Sequence, residues 1–162
     1  MSKARTSLET VRDFLAQKRI AMIGVSRRKD DFSVLLFEEF RKRGYEMVAV
    51  NPGVEEVAGV RCFGRVQEIE PAVDGALLMT SPAVTDSVVL DCVDAGIRRV
   101  WLYSSGGQGA VSQSAVALCK AKGIDVVVGE CPFMFWKDSG VGHRLHGFVL
   151  KILGKFPQRQ AA

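Results

Sequence analysis

Histidine is nearly absent, at two residues in 162, and the four cysteines, Cys62, Cys92, Cys119 and Cys131, stand 30, 27 and 12 residues apart. No C-x-x-C pair exists, which removes the common zinc and dithiol motifs and leaves buried free thiols as the reading. His143 and His146, three apart, are expected on one face of a helix that Cys131 or Glu130 could approach, but a metal would need a third ligand that the sequence does not place. No apolar stretch approaches the ~18 residues of a membrane span, and Met1 to Lys18 alternates charge with apolar residues instead of forming a signal peptide. Lys and Arg outnumber Asp and Glu by 22 to 18 without gathering into a tail, so a local anion site fits better than a broad nucleic-acid face. There is no internal repeat, low-complexity tract or linker. With 48% hydrophobic residues, the expectation is one cytoplasmic domain over residues 1–162.

What is present is a rhythm. Apolar runs at Ile20–Val25, Met47–Val50, Ala76–Thr80, Arg99–Tyr103 and Val126–Gly129, with a weaker extended piece at Val60–Phe63, alternate with amphipathic stretches of ten or more residues. Continuous runs mean burial on both faces, as in a parallel sheet covered by helices. The stretch "TSLETVRDFLAQK" offers Thr6 as an N-cap with Glu9 completing a capping box, and Leu8, Val11, Phe14 and Leu15 as an apolar face. A second helix spans about Phe32 to Arg43 and closes at Gly44. Ser81 with Pro82 opens a third that ends at Gly96, and Ser112 opens a fourth that ends at Gly123. A last helix is expected from Gly142 to Leu153. The pattern is that of an α/β, Rossmann-like doubly wound sheet, mainly parallel, with five or six strands and helices on both faces.

Ligands of such sheets sit beyond the carboxyl ends of the strands. After the first strand come Gly24, Val25, Ser26, Arg27, Arg28 and Lys29. The glycine permits a close backbone turn, the Ser26 hydroxyl suits a phosphate oxygen, and three cations supply charge. The motif is neither G-x-G-x-x-G nor a P-loop. The second strand closes on Asn51, Pro52 and Gly53, where a nicotinamide cofactor site has an acid for the ribose hydroxyls, which counts against NAD. The next ends bring Thr80, Ser81 and Pro82, then Ser105 and Gly106 in a glycine-rich loop, then Glu130 and Cys131.

Together, "IGVS", "VNPG", "GALLMTSP", "VDAGIRRVWLYSSGG" and "GECPFMF" resemble the stand-alone coenzyme A-binding domain proteins and the N-terminal domain of the succinyl-CoA synthetase alpha subunit. The resemblance covers about Leu15 to Phe135. It implies a Rossmann fold that binds coenzyme A or an acyl-CoA. It places the pyrophosphate loop at Ser26 to Lys29, a second contact loop at Thr80 to Pro82, and the adenosine half beside Asn51 to Gly53. The synthetase loop is richer in small residues than the Arg-Arg-Lys run of this chain, and the synthetases carry their phosphorylated histidine in a second domain.

No catalytic constellation emerges. Ser104 and Ser105 lack the first glycine of G-x-S-x-G, Glu130 is a single carboxylate, and Cys131 beside Pro132 reads as a buried thiol. The leading expectation is therefore a coenzyme A-binding sensor, carrier or accessory module without catalysis. The alternatives are a subunit or partner of an acyl-CoA ligase, and an NAD-binding regulator. A homodimer is compatible with any of these.

Overall fold

The computed structural model describes residues 6–104 and 109–137. The chain begins with α1 (Leu8–Leu15), β1 (Arg19–Ile23), α2 (Phe32–Lys42) and β2 (Glu46–Val50). A short antiparallel pair, β3 (Glu56–Val57) and β4 (Val60–Phe63), follows, and then β5 (Gly75–Leu78), α3 (Pro82–Asp94), β6 (Arg99–Leu102), α4 (Gln113–Ala121) and β7 (Asp125–Val128). The sheet order is β3-β4-β2-β1-β5-β6-β7, parallel throughout except for β3. The doubly wound expectation is borne out. Its strand count is corrected from five or six to seven, because β3 is a two-residue edge strand formed by folding back on β4 and is too short to show a period in sequence.

Side-chain alternation divides each central strand between two cores. Ile20 and Met22 of β1, Met47 and Ala49 of β2, Leu77 of β5 and Trp101 of β6 pack against Val11 and Phe14 of α1 and Leu36, Phe37 and Phe40 of α2. Ala21, Ile23, Val48, Val50, Ala76, Leu78, Val100 and Leu102 face the other way, toward Val89 and Cys92 of α3 and Ala115 and Cys119 of α4. That is why the strands read as unbroken apolar runs. Trp101 is fully buried, edge-on to Phe14 at 5.3 Å, and its indole N–H donates to the Glu130 carbonyl at 2.9 Å. The four cysteines are free and buried, and burial pushes the thiols of Cys92 and Cys119 up to about 12 and about 11, so they act as small core hydrophobes.

One cap is corrected. Ser7, not Thr6, caps α1, accepting from the Thr10 amide at 3.0 Å, and the Thr6–Glu9 box does not form. The Thr6 hydroxyl is engaged elsewhere: it accepts from Val128 N at 2.7 Å and donates to Val128 O at 3.2 Å, occupying the outer edge of β7, where no further strand pairs among the described residues. Thr6→Val, which keeps shape and removes both bonds, is expected to cost about 1–2 kcal/mol. A shift of the denaturant midpoint at constant slope would show it, and no shift would mean that water replaces the hydroxyl without loss. The other helix ends follow expectation at Gly44, Gly96, Gly123 and the Ser112 cap, which accepts from Ala115 N at 3.0 Å. Ser81 occupies the N-cap position of α3, but its side chain makes no cap bond. The expected helix at 142–153, with His143 and His146, lies outside the described residues. Among the described residues, no helix is long and apolar enough to cross a membrane.

Candidate functional site

The winding of the sheet reverses between β1 and β5. From β1 the chain moves outward through α2 to β2 on one side, while β5 leads through α3 to β6 on the other. Loops leaving such neighbours diverge and open a crevice. Here it is a cleft of about 380 Å³, lined by Gly24 and Ser26 after β1, Asp31, Phe32 and Ser33 at the start of α2, Met79 and Thr80 after β5, and Tyr103, Gly109 and Ala110 after β6.

Gly24 makes the turn with φ +91°, and a Cβ there would stand 3.0 Å from the backbone carbon and oxygen of Met79. The ends of β1 and β5 approach so closely that only hydrogen fits between them. The buried Val25 follows, and its carbonyl accepts from Asn51 Nδ2 at 2.8 Å, while Asn51 Oδ1 accepts from Gly53 N at 3.0 Å. Asn51 thus ties the loop after β1 to the turn after β2 with both halves of its amide. Pro52 and Gly53 themselves are exposed.

The basic loop differs most from its reading in sequence. Arg27, Arg28 and Lys29 are exposed at the lip and do not line the cleft. Arg28 pairs with Asp30 at 3.0 Å, and its backbone N–H donates to the Ser26 hydroxyl at 3.1 Å. The Arg28 guanidinium is held more strongly protonated by that bond, and Asp30 is held below its ordinary carboxylate range by the same contact. Asp31 turns inward as the cap of α2, where Oδ1 accepts from Ser33 N at 2.8 Å and from the Ser33 hydroxyl at 2.6 Å. Ser33 Oγ in turn accepts from Ser26 N at 2.9 Å.

On the β5 side, the fully buried Thr85 donates its hydroxyl to Ser81 O at 2.9 Å, and Thr80 meets Thr85 at 2.9 Å. Ser81 is exposed and Pro82 is the first residue of α3. Tyr103 stacks at a tilt on Phe32, with centroids 5.5 Å apart. Burial pushes the Cys131 thiol up, and this residue lies behind Tyr103, outside the cleft lining.

Of the residues singled out in sequence, the cleft therefore gathers Gly24, Ser26 and Thr80, with Val25 and Asn51 supporting them from behind. Ser105 and Gly106 lie outside the described residues. The lining also includes Asp31, Phe32 and Ser33, with Gly109 and Ala110, none of which was singled out in sequence, and Met79 and Tyr103, which stand at the strand ends read there. A signal for the first three existed, because an Asp directly before an amphipathic helix is a cap signature.

A parallel, doubly wound sheet with its cleft at the point of reversal defines a Rossmann-type ligand-binding domain. The CoA binding domain family model matches residues 18–137, and the chain belongs to that family. The uncharacterised protein YneT of Bacillus subtilis is 28% identical over 114 residues, covering 70% of this chain and 82% of YneT. The ADP-forming acetate-CoA ligase II of Archaeoglobus fulgidus is 25% identical over 104 residues, 62% of this chain but 15% of the ligase. Among solved structures, a hypothetical protein from Pyrococcus horikoshii OT3 shares the fold with a TM-score of 0.72 at 24% identity, covering 82% of this chain and 94% of that one.

Proposed function

We propose that the protein binds coenzyme A or an acyl-CoA in the cleft between the ends of β1 and β5, as a non-catalytic sensor or accessory module. The observation that carries this reading is the coincidence of the family match over residues 18–137 with a cleft at the sheet's point of reversal. Asn51, occupied by Val25 and Gly53 instead of offering a carboxylate to a ribose, argues against NAD. Arg27, Arg28 and Lys29 stand at the cleft lip, within the loop that leaves β1, where they would meet the ligand's phosphates from the solvent side. The partial match to an acetate-CoA ligase supports a second reading, in which the chain serves as the coenzyme A-binding part of a larger ligase assembly.

Calorimetric titration with coenzyme A, acetyl-CoA and NAD tests this directly. Salt-sensitive binding of coenzyme A without NAD binding is expected, and NAD binding alone would overturn the reading. Replacing Arg27, Arg28 and Lys29 together by alanine is expected to weaken coenzyme A roughly tenfold, as the loss of exposed phosphate contacts would. Unchanged affinity would remove the lip cations from the site.

A further inference from the structure

The polar groups of the cleft wall are arranged to accept hydrogen bonds. The Ser33 hydroxyl gives its proton to Asp31 Oδ1. Thr85 has one hydroxyl proton and spends it on Ser81 O, so in the Thr80–Thr85 contact Thr80 must be the donor. Thr80 itself lines the cleft. Of the four hydroxyls lining the cleft, those of Ser33 and Ser26 accept backbone bonds, from Ser26 N and Arg28 N, and Ser26 donates to no other group among the described residues. Between these acceptors stands the Asp31 carboxylate, whose Oδ1 is satisfied within α2. A phosphate placed against Asp31, Ser33 and Thr80 would meet a like charge and hydroxyls whose protons are already given to neighbours.

We infer that the wall formed by Asp31, Ser33 and Thr80 receives a neutral, donor-bearing part of the ligand, the pantetheine arm with its amide N–H groups and hydroxyl, while the phosphates lie outside toward the lip. The inference rests on the coenzyme A reading above. The ribose hydroxyl of the same ligand is a poorer match, because it sits beside a phosphate that the carboxylate would repel. Phe32 and Tyr103, in contact across the cleft floor, add an apolar surface suited to the arm's methylene and methyl groups.

Asp31→Asn separates the possibilities by sign. Asparagine caps a helix as well as aspartate and still accepts from Ser33, so thermal stability should be retained. Loss of a charge-assisted acceptor is expected to weaken both coenzyme A and free pantetheine about tenfold or more. Adenosine 3′,5′-bisphosphate should change less than about twofold, since it would not touch the wall. Unchanged coenzyme A binding by this variant, with the wild-type protein still binding, would overturn this inference alone, and tighter binding would overturn it and put a phosphate at α2. Weakening of the bisphosphate but not of pantetheine would also overturn it, by assigning the donor to the nucleotide. A wild-type protein that takes up no coenzyme A would remove this inference and the functional reading together.

Discussion

Gly24→Ala is expected to lower stability by about 2–5 kcal/mol, combining ~1–2 for a side chain in the left-handed region with ~1–3 for overpacking. The first contribution comes from φ +91°, and the second from a Cβ placed 3.0 Å from the Met79 carbonyl carbon and oxygen. Because the obstacle is backbone at the end of β5, no rotamer change relieves it. Either β5 shifts or the turn after β1 opens. For a chain of this length the melting temperature should fall by on the order of 10 °C, and ligand binding should be lost with it, since the cleft is bounded by these two turns. Gly44→Ala supplies the control: Gly44 has φ +88° but nothing within 4 Å of its added Cβ. It isolates the conformational cost. Equal losses from the two variants would show that the close approach of the strand ends contributes nothing.

Asn51→Asp is expected to cost about 2–3 kcal/mol, because a buried carbonyl loses its donor and faces an anionic oxygen instead. The geometry leaves little choice, as Asn51 Nδ2 lies 2.8 Å from Val25 O and Oδ1 already accepts from Gly53 N. The substitution places an acid where nicotinamide-binding sheets carry one. It should nonetheless fail to create NAD binding, because the residue faces the loop after β1 and not an open ribose position. Denaturant unfolding and NAD titration of the variant check both halves. Pro52→Ala, at an exposed neighbour, should stay within about 0.5 kcal/mol of the parent. If Asn51→Asp were as mild as that, the amide bridge would not be what holds the loop.

The sheet itself was legible in sequence because its cause is local in pattern. Residues such as Ile20 to Ile23 and Gly75 to Leu78 are buried on both faces, so burial appears as an unbroken apolar run that needs no knowledge of partners. The helix ends at Gly44, Gly96 and Gly123 were legible for the same reason, since a cap is decided within a turn of chain. The family resemblance rested on such short stretches, and the match over residues 18–137 agrees with it.

What sequence could not decide depended on contacts between distant residues. Whether Thr6 or Ser7 caps α1 was settled by Val128, which lies 122 positions away from Thr6. The run from Arg27 to Lys29 looks like three free cations until Asp30 pairs with Arg28 and Asp31 turns inward to cap α2. Charge read along the chain counts ions but not their partners. Likewise, the direction of the Thr80 hydroxyl proton is fixed only by the buried Thr85. The sequence by itself determined the doubly wound sheet and the strand ends at which its cleft opens, because periodicity and burial are written residue by residue. Only the tertiary structure decided the polarity of the cleft, because the direction of a hydrogen bond belongs to a pair of groups that the fold must first bring together.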